Sequence, residues 1–587
     1  MAERFDVTVA TPWYPTPYNR MAGSFVAEHA VLASGLPGVR PGGVHVVHGL
    51  EWPGGDAAAA LALRPSFDAV LDRLRHSGGT RLHGVAGPLD RVPVFTVGGA
   101  DWGARAEAAV RDVSRAVGTF ASPVVHGHVG YLGGLVAARL AEPGARVFAT
   151  EHSTALRDVL AQPAAREHYA ELIERADAVF CVSNLLREQI LDAVPDPQGV
   201  VRVLANPVDF AGAPRRSSLP ERLRRWVFIG GLHERKGVVR LVRAFVTAAR
   251  EDGELSLTLF GSGALAEVLI GLARDGGVAD RLHLPGVVRH RELLAQLPSY
   301  DLLLAPSTYE TFHLAVPEAV AAGLPVIVTR SGGPQEALAG VEDQVGRFVD
   351  VNDDPDELVE AWRDLSAGLG DLDLDAARAT LDARYGREAI SAALARAYGL
   401  PGTVATPDVP GDALNGAAAP PERVVLVAVS GWRRYHVQAE LDAAGTLGVP
   451  VALISDDVPL REQATGAAAT VVATKQASAL TGGVEVSAMA APGASLAVRA
   501  RRTVGSLRRR ALRLLDAGTV PRQRAAGVRV DDDFLQGAQL VLGDCQSMPL
   551  ARALLAAHPQ LQPVVELDRV GPLGPSVDSE AGQVVAP

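Results

Sequence analysis

Short apolar runs that close on a small or polar residue recur in the first part of the chain, at residues 5–11, 124–128, 147–152, 179–183 and 201–206. Stretches with helical spacing of apolar positions lie between them at residues 23–34, 131–141 and 185–193. Runs that are continuously apolar, rather than alternating, mark strands of a parallel sheet with both faces covered. The pattern therefore predicts an α/β domain over residues 1–215. A second series follows at residues 226–230, 255–261, 281–285, 301–306 and 325–329, and a helical stretch at 388–398 closes it. This predicts a second α/β domain over 216–400, joined to the first through residues 211–220, where periodicity lapses into Pro, Arg and Ser. Residues 401–421 are rich in Pro, Ala and Gly without apolar periodicity, as expected of a linker. Strand-like runs at 424–430, 449–455, 469–473 and 540–543, with helical stretches at 434–447 and 548–558, predict a third, smaller α/β domain over 422–570. The polar residues 571–587 are expected to form a disordered tail.

Composition adds bounds. A chain of 587 residues exceeds what one core organises, so several domains are expected. A net charge of -11 speaks against a general nucleic-acid binder, which would carry a basic domain. Cys181 and Cys545 are too few for a disulfide framework and lack the clustering of a zinc site, which suits a reducing cytoplasm. With no run of eighteen apolar residues and no signal-peptide pattern, membrane contact is expected only at the periphery. Its expected place is residues 499–529, where arginines from Arg499 to Arg529 are offset only by Asp516, although a solvated helix face reads the same way.

Ligands of open parallel sheets collect beyond the carboxyl ends of the strands, where loops and helix N-termini present free N–H groups. Gly230 and Gly231 bend the chain out of one predicted strand toward Lys236, whose ammonium can face a phosphate. Gly261 and Gly263 form a second such turn, although turns of this kind are often plain structure. After the strand at 301–306, Glu310 lies in a loop and Glu318 begins a short helix that Gly323 and Pro325 end. Carboxylates at both ends of one loop suit the vicinal hydroxyls of ribose and a hexose, and the N–H groups of Phe312, His313 and Leu314 between them suit an anion. Spacing alone is met equally by solvated glutamates on an ordinary loop.

This stretch resembles the paired-glutamate signature of retaining GT-B glycosyltransferases of family 4. Gly230 with Lys236 and Gly237 resembles the family's phosphate-binding turn, Gly261 with Gly263 its second glycine turn, and residues 331–336 the loop after its Pro-Val strand. Asn206, Val208 and Asp209 resemble its crossing into the second domain, and Trp13, Gly23, His126, His128 and His152 stand where its first domain carries similar motifs. The resemblance spans about residues 5–400 and implies a GT-B fold of two facing Rossmann-like domains. It implies that a nucleotide diphosphate sugar is bound mainly by the second domain and a hydroxyl acceptor is presented by the first. Glu318 would hold the ribose, Glu310 the transferred sugar, Lys236 the diphosphate, Gly23 the donor phosphate and His152 the sugar. Catalytic roles are thus expected of His152 and Glu310, with no nucleophile, no cofactor and no metal. Gly231 stands where many members of the family carry an arginine, so either Arg235 compensates or leaving-group stabilisation is weaker. Thr311 and His313 replace glycines beside Phe312, which leaves donor identity open.

Residues 422–570 have no counterpart in a two-domain enzyme of this kind and are expected to serve acceptor binding or self-association. Asp531, Asp532 and Asp533 alone do not make the acidic metal motif of the other glycosyltransferase fold. A pseudo-glycosyltransferase joining non-sugar partners, and a silent nucleotide-sugar-binding scaffold, stay open. A lysine facing two carboxylates, the arrangement expected here, weighs against the scaffold.

Overall fold

The computed structural model describes residues 4–400 apart from 17, 18 and 20, together with 423–428, 434–447, 449–455, 469–472 and 538–566. The expected linker, the arginine-rich stretch 499–529, residues 531–533 and the tail lie outside the described residues.

Three sheets follow one another. Strands β1 (Val7–Thr11), β2 (Val44–Pro53), β3 (Arg81–His83), β4 (Pro88–Thr96), β5 (Val124–His128), β6 (Arg146–Glu151), β7 (Ala178–Cys181) and β8 (Val201–Val203) form the first, in the order β3-β4-β2-β1-β5-β6-β7-β8. All its pairings are parallel except β3 with β4. The second comprises β9 (Arg225–Ile229), β10 (Ser256–Phe260), β11 (Leu282–Gly286), β12 (Leu302–Ala305), β13 (Val326–Thr329) and β14 (Gly346–Val349), ordered β11-β10-β9-β12-β13-β14. That is the doubly wound order, and its direction reverses between β9 and β12, where ligands bind in such folds. In the first sheet the reversal falls between β1 and β5. The third sheet, β15 (Arg423–Val427), β16 (Val451–Ile454), β17 (Ala469–Val472), β18 (Ala538–Leu542) and β19 (Gln562–Val564), runs β17-β16-β15-β18-β19 and is wholly parallel.

The central strands are sealed on both faces. Every residue of β1, β5, β7, β12 and β13 is buried. One core of the second domain gathers Trp226, Phe228, Phe245 and Trp362, and the indole N–H groups of Trp226 and Trp362 both donate to the Leu223 carbonyl at 3.0 Å. Helix starts are capped locally, by Asp56 on Ala59, Asp101 on Ala104 and Ser183 on Leu186.

The chain passes between the first two domains twice, and the crossings touch: Val208 N–H donates to the Tyr385 carbonyl at 2.8 Å and Val208 bridges Gly386. The helix Arg387–Ala397 then returns to the first domain, where Ile390, Leu394, Ala395 and Tyr398 join a core with Val7, Val9, Val26 and Leu32. The chain up to residue 400 therefore does not lie wholly with the second sheet.

The third domain leans on the first. Cys545 Sγ–H donates to the Trp52 carbonyl at 3.2 Å, Val565 N–H to the Gly79 carbonyl at 3.1 Å, and Arg91 Nε lies 3.0 Å from Glu566 Oε2. Both partners of that ion pair are buried. Cys181 and Cys545 are buried and are not joined in a disulfide.

Candidate functional site

The cleft between the first two domains gathers the carboxyl ends of β1, β5, β6, β9 and β12. After β9, Gly230 leads into a short turn, Glu234–Lys236, and Lys236 Nζ donates to Glu310 Oε1 at 2.6 Å. Both side chains are largely buried. Burial works to raise the Glu310 pKa, but the neighbouring His313 and the Lys236 ammonium outweigh it and hold the carboxyl at about 2. The Glu310 loop is pinned from below, its N–H donating to the Ser331 carbonyl and its carbonyl accepting from Gly333 N–H. Arg235 Nη1–H donates to the Tyr309 carbonyl at 3.2 Å, which places its guanidinium at the same loop.

His313 follows two positions after Thr311 with φ 67, a left-handed backbone where glycine would cost nothing. Its ring is buried, yet neither nitrogen has a hydrogen-bond partner. Burial lowers its pKa to about 4, so it is neutral at physiological pH. With its ring nitrogens unbonded beside the charged pair, His313 is a candidate contact for a group bound at this loop. Phe312 is buried against Tyr385, with ring centroids 5.2 Å apart. Among the described residues the N–H groups of Phe312, His313 and Leu314 donate to no protein acceptor.

Glu318 lies in the helix Ala315–Ala321 and does not meet Lys236. Its Oε1 accepts from His290 Nε2 at 2.7 Å, and Glu318 raises the His290 pKa to about 9. The expected lysine facing two carboxylates is thus two separate pairs, because Glu318 stands inside a helix while Glu310 stays in the preceding loop. His290 was not legible in the sequence: it lies 28 positions from its partner with no motif around it. From the first domain, Glu28 approaches the same place, ion-paired with Arg387 at 3.0 Å. Burial pushes its carboxyl up, against the pull of Arg387 and His290.

The glycine turns have a structural cause of their own. A Cβ on Gly261 would lie 1.9 Å from the Gly230 carbonyl oxygen, and one on Gly263 2.3 Å from that of Leu232. The two turns therefore pack backbone to backbone, whatever else they bind. Gly23, with φ 64, precedes the helix Ser24–Ser34, and a Cβ there would come within 2.3 Å of the Trp13 carbonyl oxygen. Gly23→Ala is expected to cost roughly 2 kcal/mol or more, from left-handed strain and overpacking together, read as a lower urea midpoint.

On the first domain's side, His152 follows β6. The Glu151 carboxylate beneath it accepts from the N–H groups of Gly130, His152 and Ser153 and from the Tyr169 hydroxyl. Burial pushes its carboxyl up against these bonds. It holds the π-helical turn Val129–Gly134, where Val129 is itself left-handed. His126 and His128 lie in β5, His128 as its last residue, and both are fully buried. Three contacts close the cleft: Thr311 Oγ1–H donates to the His152 carbonyl at 3.3 Å, Gln189 Nε2–H to Tyr309 Oη at 2.9 Å, and Asn184 N–H to Glu336 at 2.7 Å.

Residues 68–211 match the family model for Glycosyltransferase Family 4, and residues 224–367 that for Glycosyl transferases group 1. Sucrose-phosphate synthase from Thermosynechococcus elongatus superimposes with a TM-score of 0.50 at 18% identity, over 68% of this chain and 98% of that one. The fold is GT-B. Its two GT-B domains correspond to the first and second sheets, and the third sheet lies beyond both family matches. Glycogen synthase from Mycobacterium tuberculosis is 30% identical over 168 residues, 28% of this chain and 41% of that protein. A GDP-mannose-dependent alpha-mannosyltransferase from Mycolicibacterium smegmatis is 32% identical over 245 residues, 40% of this chain and 60% of that protein. A D-inositol 3-phosphate glycosyltransferase from Corynebacterium diphtheriae is 28% identical over 202 residues. Alignment with these three covers 41% to 60% of their lengths. No described helix is long and apolar enough to cross a membrane.

Proposed function

We propose that this protein transfers a hexosyl group from a nucleoside diphosphate sugar to a hydroxyl acceptor, with retention at the anomeric carbon. The observation that carries the reading is the contact of Lys236 with Glu310 at the reversal point of the second sheet. An ammonium and a carboxylate 2.6 Å apart can serve a diphosphate and a sugar hydroxyl only if those groups are adjacent, as they are across the glycosidic C–O bond of a sugar nucleotide. Glu310 takes the hydroxyls of the transferred sugar and Lys236 takes the diphosphate, whose negative charge grows as that bond breaks, so the lysine binds the transition state more tightly than the ground state. In this reading Lys236 carries the leaving-group charge in place of a metal ion. Glu318, oriented by His290, takes the ribose. The alpha-mannosyltransferase relative is named for a nucleotide-sugar donor, and its match supports the donor class.

A thermal-shift screen against UDP, GDP, ADP and dTDP and their sugar conjugates tests the reading. A ligand at a hundred times its Kd stabilises by about 2.7 kcal/mol, so a selective shift identifies the donor. No shift with any nucleotide overturns the enzyme reading in favour of a scaffold. The His290–Glu318 pair adds a pH signature. With its folded-state pKa raised to about 9, His290 is protonated at neutral pH; the pair contributes fully below the ordinary histidine pKa of about 6.5 and is lost as pH rises through about 9. Nucleotide affinity is expected to fall across that upper window in the wild type and to stay flat in His290→Ala, measured by calorimetric titration.

A further inference from the structure

Beneath the cleft lies a chain of histidines that the reading above does not use. His152 Nε2 is 2.9 Å from His128 Nδ1, and His128 Nε2 is 3.0 Å from His29 Nδ1. The two outer nitrogens, His152 Nδ1 and His29 Nε2, are buried and have no partner. His126 stacks on His128 but stands outside the chain, since its own nitrogens meet Tyr398 Oη and Thr150 Oγ1, each at 2.7 Å. Burial lowers the pKa of His29 to about 4 and of His152 to about 3, and that of His128 well below the ordinary value. All three rings are therefore neutral at physiological pH, each with one N–H and one lone pair.

We infer that His29, His128 and His152 form a tautomer relay that makes His152 a hydrogen-bond donor through Nδ1. Only two proton arrangements satisfy both N···N contacts. In one, every ring carries its proton on Nδ1: His29 donates to His128, His128 donates to His152, and His152 presents Nδ1–H. In the other, every ring carries it on Nε2, the bonds run the opposite way, and His152 presents a bare lone pair. The inner end decides between them. His29 sits inside the domain, where the first arrangement leaves a lone pair unmet and the second leaves an N–H unmet. An orphaned buried N–H is the rarer and costlier defect. His152 is the end at the domain boundary, its backbone carbonyl accepting from Thr311 Oγ1–H of the second domain, so the first arrangement puts the remaining N–H at that boundary and the second puts it in the domain interior. His29 and His128 are then positioning residues, and the oxygen they select at His152 is one that accepts, such as a carbonyl, or a hydroxyl whose own hydrogen is used elsewhere. That this oxygen belongs to the donor sugar rests on the proposed function; the relay itself does not.

Long-range proton–nitrogen correlation on the full-length protein labelled with ¹⁵N-histidine reads the tautomers directly. The expected result is Nδ1–H on all three rings. Nε2–H on the three rings, or unequal tautomers along the chain, overturns the inference. His29→Phe is expected to release the tautomer preference of His152 and, once a donor is known, to lower the transfer rate about tenfold with nucleotide affinity unchanged, the scale of one hydrogen bond. His29→Leu provides a smaller variant should phenylalanine not be accommodated, and, having no polar group to replace the imidazole, it is expected to shift the His152 nitrogens likewise; unchanged nitrogens in a folded variant overturn the relay. His29, His126 and His128 also offer ligand atoms within 4.8 Å of one another, so zinc taken up stoichiometrically by the wild type, with the His29 and His128 nitrogens shifted, overturns it too. Because the tautomer readout needs no substrate, it can fail while nucleotide binding succeeds, and the reverse.

Discussion

Lys236→Ala is expected to lower the transfer rate by about 10² to 10³-fold, the scale of removing one donor from a developing anion. The change also deprives a buried carboxylate of its cation. In the wild type the Glu310 pKa is depressed to about 2, so its contribution to stability is present above the ordinary carboxylate value and is lost as pH falls through about 2. In the variant a major counterweight to burial is gone, and burial moves the pKa in the opposite direction. The variant should therefore gain stability relative to wild type as pH falls from 8 to 5, because protonation relieves the unpaired charge. Urea unfolding of both proteins at the two pH values checks this. Parallel pH dependence would mean that water or Arg235 already neutralises Glu310, and that the Lys236 contact contributes little to the site.

Glu566→Ala is expected to be the most destabilising single change outside the site. It strands Arg91, whose side chain is 3% exposed, and removing one partner of a buried ion pair typically costs about 3 to 5 kcal/mol. Arg91 also reaches His48 Nδ1 at 3.2 Å and donates to the Pro15 carbonyl at 3.1 Å, so the loss is felt where the loop after β1 is held. Hydrogen exchange should speed up in the helix Met548–Ala557 and in β19, with nucleotide affinity preserved. A change below 1 kcal/mol would indicate that the third domain is held by its other contacts, such as the close approach of the Pro563 backbone carbonyl to Gly79.

The second domain was legible almost strand for strand because β12 and β13 are short, sealed and apolar, β9 is apolar after Arg225, and each ends on a recognisable turn. The first domain was read incompletely for the converse reason. Strands β2 and β4 carry buried polar groups, His45 bonded to Asp90 at 2.7 Å and Arg91 beside His48, so their apolar runs are broken. The helix Ala57–Ser77 is rich in alanine and contains Pro65, which blurs its periodicity. Sequence spacing placed Glu310 and Glu318 on one loop-helix unit facing Lys236, but it could not show that Lys236 meets only Glu310 and that His290, from the helix after another strand, takes Glu318. Glu336, read only as part of a loop, caps Asn184 across the cleft. His29 carries no motif, and its proximity to His128 is purely tertiary.

The side-by-side crossings at Val208 and Gly386 have a mechanical consequence. Two polypeptide connections in register act as a single pivot, which permits the domains to swing but resists their sliding past one another. The helix Arg387–Ala397, fixed to the first domain, stays behind when the second domain swings. Contacts such as Asn184 with Glu336 and Gln189 with Tyr309 then lie on the moving side of a lever. A swing about that pivot parts them together rather than one by one.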